Sequence, residues 1–268
     1  MTVTSPILNI CDLHVSFKTN QGLQPVICGL NLTLYPGEAL ALVGESGSGK
    51  SVTAQAILQL LGNSGIITKG QISFLGESLQ TKSPKEMETI RGKKIGMIFQ
   101  DPLTSLNPTL SVGWQIAEML IVHEHQARKA ARLGAIELMR RVGIADAAQR
   151  YDAYPFQLSG GMRQRILIAM ALSCHPDLLI ADEPTTALDV TIQAQILELL
   201  RQIQQETGMT LLLISHDLAI VASLCDRAAV MNRGQIVEVN PIIPLFKVPQ
   251  HPYTMALLEA RRGALIDG

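Results

Sequence analysis

A glycine-rich stretch at residues 44–51 has the residue types and spacing of a phosphate-binding loop. A short apolar run (39–43) precedes it and predicts a buried strand, and an apolar run with helical character (52–61) follows it. Glycines let the backbone approach phosphates closely, and the start of a helix favours a polyanion. The residues that this loop, the P-loop, would contribute to a nucleotide site are Gly44, Glu45, Ser46, Gly47, Ser48, Gly49, Lys50 and Ser51.

Within the P-loop, two side chains have predicted roles. Lys50 is expected to reach the β- and γ-phosphates of a nucleoside triphosphate, and the Ser51 hydroxyl is expected to ligate Mg²⁺.

Two adjacent acidic residues, Asp182 and Glu183, end a second predicted strand, which is mostly apolar, in the segment 177–184. A buried strand has no reason to end in two carboxylates unless a cation or a reaction lies there. Asp182 is predicted to hold Mg²⁺, and Glu183 to polarise the attacking water. A third apolar run (210–215) predicts a strand that delivers His216, which is interpreted as a sensor of the γ-phosphate.

The segment Leu158-Ser159-Gly160-Gly161-Met162 precedes a long helical run (162–172), so its serine and glycines are predicted to lie at a helix N-terminus. A helix N-terminus favours anions, so this segment is a second predicted anion site on the same chain. One triphosphate needs only one such site, and the P-loop already provides it.

With these residues in this order, the chain resembles the ATP-binding subunit of an ABC transporter from about Ile7 to about Leu258. The resemblance implies that Phe17 stacks on adenine and that Gln100 contacts Mg²⁺ and the attacking water. It also implies that residues 187–189 form the D-loop, with Asp189 near the nucleotide. Ser159, Gly160 and Gly161 would then cover the γ-phosphate held by an opposite subunit, so that ATP closes the dimer and hydrolysis opens it.

The fold expected from this pattern is α/β, with a P-loop NTPase core, a mainly parallel sheet, an N-terminal antiparallel β part and a helical sub-domain. We expect one ATPase domain over 1–268. Its nucleotide-binding core would comprise 7–100 and 159–240, its helical sub-domain 101–158, and a short helical extension 241–268.

Composition limits the partners. The chain has 22 basic and 23 acidic residues, which predicts no nucleic-acid partner. Its longest apolar runs are shorter than the about 20 residues that a membrane-spanning helix needs, so membrane contact is expected through other subunits. The resemblance implies two transmembrane permease subunits, an extracytoplasmic substrate-binding protein that acts indirectly, and a place on the cytoplasmic face of the inner membrane. The second ATPase subunit would be a different chain, with a homodimer as the alternative.

Further segments resemble the branch that imports peptides and nickel in bacteria: 100–108, 154–170 and 251–254. The residues around Met162 are similar to the first of the two ATPases in such importers, but the physical chemistry of these residues selects no cargo. The four cysteines are far apart, so we also expect no iron–sulfur cluster. The absence of a cysteine-containing extension moves the interpretation modestly toward nickel, with peptides still the favoured cargo.

Three alternatives are weighed against this interpretation. A soluble ABC-type ATPase of DNA repair would usually carry a coiled coil or zinc module between Gln100 and Leu158. A P-loop GTPase would carry an Asn-Lys-x-Asp motif, and a translation-associated ABC protein would carry two cassettes. None of these features is present in the sequence.

Overall fold

The computed structural model describes residues 5–186 and 188–264. Ala187, the first residue of the predicted D-loop, lies outside the described residues. Contacts between Cα atoms divide the chain into two compact units. Within the described residues, the first unit comprises 5–87 and 210–264, and the second comprises 88–209 with the same exception at 187.

The β-strands of the described chain are β1 (Leu8–Thr19), β2 (Gly22–Leu34), β3 (Ala39–Val43), β4 (Gly65–Phe74), β5 (Glu77–Ser78), β6 (Ile95–Ile98), β7 (Leu178–Asp182), β8 (Thr210–Ser215), β9 (Arg227–Asn232) and β10 (Gln235–Pro241).

The α-helices are α1 (Lys50–Ile57), α2 (Pro84–Ile90), α3 (Pro102–Ser105), α4 (Val112–Glu124), α5 (Arg128–Arg141), α6 (Ala147–Arg150), α7 (Gly160–Leu172), α8 (Val190–Thr207), α9 (Leu218–Leu224), α10 (Ile242–Lys247) and α11 (Pro252–Ala264), and a 3₁₀ turn covers Pro155–Gln157.

The first unit contains an antiparallel sheet in the order β2-β1-β4-β5. It also contains β3, which pairs in parallel with β8 on one side and β9 on the other. Every residue of β3 and β8 is buried, as expected for parallel strands that are covered on both faces. The strands β9 and β10 form a hairpin around Arg233 and Gly234.

The second unit holds the parallel pair β6 and β7, and the helices α4, α5 and α7, which pack against one another. Between residues 101 and 158 the described chain forms helices and turns and no strand. The boundaries of the predicted helical sub-domain stay a prediction.

The sequence placed β3 and β8 at the observed residues, but its helix over 52–61 is shifted. The observed α1 begins at Lys50, inside the P-loop, and ends at Ile57. The helix ends there because Gln59 adopts a left-handed backbone with φ 52°, which no helix can continue through.

Candidate functional site

The P-loop wraps from the end of β3 to the start of α1. Gly49 is the N-cap of α1 with φ 109°, and Gly47 has φ 79°. Residues that have a Cβ rarely adopt these backbone conformations. The Lys50 side chain is buried, and its Nζ donates hydrogen bonds to the carbonyl oxygens of Gly44 and Glu45, both at 2.9 Å. The loop is therefore already folded around the lysine that would meet the phosphates.

The β9–β10 hairpin holds the P-loop from its other side. A Cβ on Gly44 would lie 2.2 Å from the Met231 carbonyl oxygen, and one on Gly49 would lie 2.8 Å from Met231 Cε. The Gly234 N–H donates to the Ser48 carbonyl at 2.9 Å. Gly44 is required because the Met231 backbone approaches too closely for any side chain. At Gly49 the close atom is the end of a flexible side chain, so the restriction there is the backbone φ of 109°.

One polar atom of the P-loop lacks a protein partner among the described residues. Ser48 Oγ is buried and forms no hydrogen bond there. Buried hydroxyls are nearly always paired, so an unpaired one in this loop fits a ligand that brings its own polar atoms.

His216 lies directly after β8, as predicted. Because Val43 pairs with Ser215 in the parallel β3–β8 register, Gly44 and His216 leave the sheet at the same edge. The His216 side chain is exposed there. The structure thus brings His216 and the P-loop to one edge of the first unit.

Phe17, the predicted adenine-stacking residue, lies on β1 opposite Gly65 of β4. Its ring is half-buried, and its Cε1 lies 3.1 Å from the position that a Cβ on Gly65 would occupy. One side of the ring therefore packs on a glycine backbone. Stacking on adenine stays a prediction.

In the second unit, β7 delivers Asp182 and Glu183. Asp182 is buried at the last position of the strand, and Glu183 leaves the strand with φ 46°, a strained conformation for glutamate. Glu183 Oε2 accepts a hydrogen bond from Gln100 Nε2 at 2.9 Å and another from Thr186 Oγ1, also at 2.9 Å. The structure brings Gln100 and Glu183 together, and their roles toward Mg²⁺ and the attacking water stay predictions.

Thr186 was missed by the sequence analysis. A hydroxyl three residues after an acidic residue in a loop is a recognisable turn pattern, but nothing in the sequence shows that this hydroxyl donates to the carboxylate of Glu183.

The segment 158–162 lies where the helical run predicted it. Ser159 is the N-cap of α7, and its Oγ accepts from the Met162 N–H at 3.3 Å. A Cβ on Gly161 would lie 2.6 Å from Ile192 Cγ2, whereas one on Gly160 would meet Leu188 Cδ2 at an ordinary 3.5 Å. Gly161 is thus required by packing, and Gly160 leaves its backbone accessible.

Asp189 caps α8, and its Oδ1 accepts from the Ile192 N–H at 2.9 Å. This N-cap contact by itself explains why an aspartate stands at position 189. Its predicted contact with a nucleotide stays a prediction.

The predicted site residues fall into two groups. The first unit holds Phe17, the P-loop and His216, and the second holds Gln100, Asp182, Glu183, the segment 159–161 and Asp189.

Comparison with known proteins gives the family. The family model described as ABC transporter matches residues 27–186, more than half of the chain. The chain belongs to this family. The match includes the P-loop, Gln100, the 158–162 segment (the family's signature) and the carboxylate pair, so this ABC cassette is an ATP-binding subunit and an ATPase.

Similar curated proteins cover most of this ABC cassette. The oligopeptide transport ATP-binding protein OppD of Bacillus subtilis is 54% identical over 94% of the chain and 71% of its own length. The dipeptide transport ATP-binding protein DppD of the same organism is 53% identical over 94% of the chain and 76% of its own length. The oligopeptide transport ATP-binding protein AmiE of Streptococcus pneumoniae is 50% identical over 95% of the chain and 72% of its own length.

Solved structures confirm the ABC ATPase fold. A dimeric ATP-binding cassette in a post-hydrolysis state with ADP and Pi superimposes with a TM-score of 0.79 at 26% identity, over 88% of this chain and 98% of that one. The protein cbiO1 of Clostridium perfringens, part of an ABC transporter complex, gives a TM-score of 0.77 at 27% identity, over 98% of this chain and 99% of that one. Among the described helices of the ABC cassette, none is both long and apolar enough to cross a membrane.

Proposed function

We propose that the chain hydrolyses ATP to drive the import of peptides through a bacterial membrane ABC transporter. The observation that carries this proposal is the 50–54% identity, over at least 94% of the chain, to ATP-binding proteins named for oligopeptide or dipeptide transport. No relative compared above is named for nickel, so peptides are the cargo that the similarity supports.

In the first unit, we propose that the P-loop holds the phosphates. The backbone N–H groups of residues 46–51 and the start of α1 favour anionic oxygens. Lys50 is held beside them by the carbonyls of Gly44 and Glu45, so its ammonium group needs little rearrangement to contact a phosphate. His216, which leaves the sheet at the same edge as the P-loop, would contact the γ-phosphate.

In the second unit, we propose that Glu183 is the general base. Its carboxylate is held by Gln100 and Thr186 through one oxygen, Oε2. These two hydrogen bonds orient the carboxylate, which is proposed to accept a proton from the attacking water.

The donor set suits Mg²⁺. The predicted ligands offer hard oxygen donors of the kind that this ion prefers. The first unit has the Ser51 hydroxyl, and the second has the Gln100 amide and the Asp182 carboxylate. When bound, Mg²⁺ would neutralise charge on the phosphate oxygens.

We further propose that the signature, Ser159, Gly160 and Gly161, covers the nucleotide of a second ATPase subunit. Gly160 supports this role because its backbone is accessible at the start of α7. The proposed partners are a different ATPase chain, two permease subunits and, indirectly, an extracytoplasmic substrate-binding protein. The proposed location is the cytoplasmic face of the inner membrane.

Uptake by cells that lack this chain tests the cargo. Loss of dipeptide or oligopeptide import with normal nickel accumulation is the expected result, and complementation with the wild-type chain should restore import. Normal peptide import together with lost nickel accumulation would overturn the peptide assignment.

Co-expression tests the partners. The tagged chain should co-purify with a second ATPase chain and two membrane proteins, and its ATP hydrolysis should rise in that complex. An isolated chain that is fully active as a homodimer and ignores a co-expressed homologue would contradict the heterodimer.

A further inference from the structure

The P-loop of the first unit donates a hydrogen bond to a tyrosine far along the chain. Tyr253 Oη accepts from the backbone N–H of Glu45 at 3.3 Å. Tyr253 lies at the start of α11, and its own backbone N–H donates to His251 Nδ1 at 3.1 Å. The chemistry proposed above does not use the hydrogen bond between Glu45 and Tyr253.

The tyrosine is anchored to the sheet by a buried carboxylate. Glu238 of β10 accepts hydrogen bonds from the backbone N–H groups of Gln250 at 3.0 Å and His251 at 2.9 Å. Burial raises the pKa of Glu238, but these two hydrogen bonds, with a smaller contribution from Asn240, outweigh it, so that its pKa lies below the usual range. We call residues 250–258 the C-terminal strut.

The far end of the strut is also fixed. Thr254 and Leu258 are buried, on successive turns of α11. Tyr253 is therefore held by the Glu238 contacts to the residues before it and by the packing of the residues after it. Both restrict the position of its hydroxyl.

The peptide unit between Gly44 and Glu45 is thus held at both of its polar ends. Its carbonyl oxygen accepts from Lys50 Nζ at 2.9 Å, and its N–H donates to Tyr253 Oη. A loop with glycines at 44, 47 and 49 is flexible, so ordering it around phosphates costs conformational entropy. If the loop is ordered before the nucleotide binds, this cost is smaller and the affinity for the nucleotide is higher.

We propose that Tyr253 is a positioning residue for nucleotide binding, acting through the Gly44–Glu45 peptide that also holds Lys50. This inference rests on the proposed role of the P-loop in ATP binding. Its consequence is regulatory, because any partner that displaces the C-terminal strut would weaken the nucleotide site, and by reciprocity bound nucleotide would hold the strut in place.

The test replaces Tyr253 by phenylalanine in the full chain, which removes the hydroxyl and keeps the ring. Losing one hydrogen bond of this kind predicts about a 2- to 10-fold rise in the Kd for ADP and in the KM for ATP, with kcat within about 2-fold of wild type. The matched control is Tyr35→Phe, in the same unit, whose exposed side chain is expected to leave both constants unchanged.

A second variant tests the anchor. Glu238→Gln replaces an acceptor oxygen by a donor and should raise the Kd for ADP. The double variant with Tyr253→Phe should have about the same Kd as whichever single variant binds ADP more weakly. If the losses of ADP affinity add in the double variant, the two residues act separately, and Glu238 does not hold Tyr253 in place for nucleotide binding.

These measurements distinguish failure of the proposed nucleotide binding from failure of the role proposed for Tyr253. A wild-type chain that fails to bind ADP refutes the proposed function. A wild-type chain that binds ADP, with an unchanged Kd and KM in Tyr253→Phe, refutes this inference alone, even if the melting temperature falls. An equal change in Tyr35→Phe refutes it as well.

Discussion

Gln100 and Glu183 are joined by a hydrogen bond of 2.9 Å because they lie two residues beyond a pair of register partners. Ile98 of β6 pairs with Ala181 of β7 in parallel, so the residues that follow each strand emerge side by side. Parallel pairing places the ends of both strands at one edge, where an amide and a carboxylate can meet. The contact between the two residues follows from register and not from their proximity in sequence.

Replacement of Glu183 by glutamine should nearly abolish ATP hydrolysis and retain ATP binding. Loss of a general base lowers turnover by about 10²–10⁴-fold. The ATP-bound dimer should then accumulate and appear in size-exclusion chromatography only with ATP. The control is Glu198→Gln on α8, an exposed position. Turnover of Glu183→Gln within a few-fold of wild type would remove Glu183 from its role.

Replacement of Thr186 by valine should lower kcat by about 2- to 10-fold, the effect of one lost hydrogen bond to Glu183 Oε2. Nucleotide affinity, measured with ADP, should not change, since Thr186 acts on the carboxylate. Thr186→Ser retains the hydroxyl and should recover most of the rate. Equal rates for the valine and serine variants would show that the hydroxyl is not used.

Replacement of Lys50 by alanine should weaken both nucleotide binding and turnover. A hydrogen bond to a charged group contributes about 1.5–3 kcal/mol, which predicts about a 10- to 100-fold rise in the Kd for ATP. Calorimetric titration with a non-hydrolysable ATP analogue measures this directly. Unchanged affinity would mean that Lys50 does not contact the phosphates.

The two signature glycines should differ in their tolerance of a methyl group. Gly161→Ala places a Cβ 2.6 Å from Ile192 Cγ2, and such overpacking destabilises by about 1–3 kcal/mol. In a chain of this length, that loss lowers the melting temperature by about 2–4 °C per kcal/mol. Gly160→Ala makes only an ordinary contact and should leave the melting temperature unchanged. Equal melting temperatures for the two variants would contradict this packing.

Glu238 should stabilise the chain at neutral pH and lose this effect in acid. Its folded-state pKa lies below the ordinary value of 4.5, so its contribution is present above about pH 4.5 and is lost as the pH falls through the folded pKa. Urea unfolding of wild type and Glu238→Gln should therefore differ at pH 7, and the difference should shrink as the pH falls below 4.5. A difference that grows in acid would reverse the sign of this argument.

The sequence alone determined the elements whose signals are local. The P-loop, the strand before it, the acidic pair after an apolar run and the serine at the start of α7 were all predicted at or near their observed places. Each depends on side chains within a few residues, through glycine geometry, buried apolar runs or helix capping. The resemblance of these motifs to a known family supplied the fold class, which the solved structures confirm.

Tertiary structure decided the contacts between distant residues. The hydrogen bond of Thr186 to Glu183 depends on the left-handed turn at Glu183, and the bond of Glu45 to Tyr253 depends on the anchor at Glu238. Residues 45 and 253 are more than two hundred positions apart, and no local propensity links them. Such pairs arise only when strand register and helix packing bring their backbones together, which is why the sequence showed the P-loop but not the tyrosine that holds it.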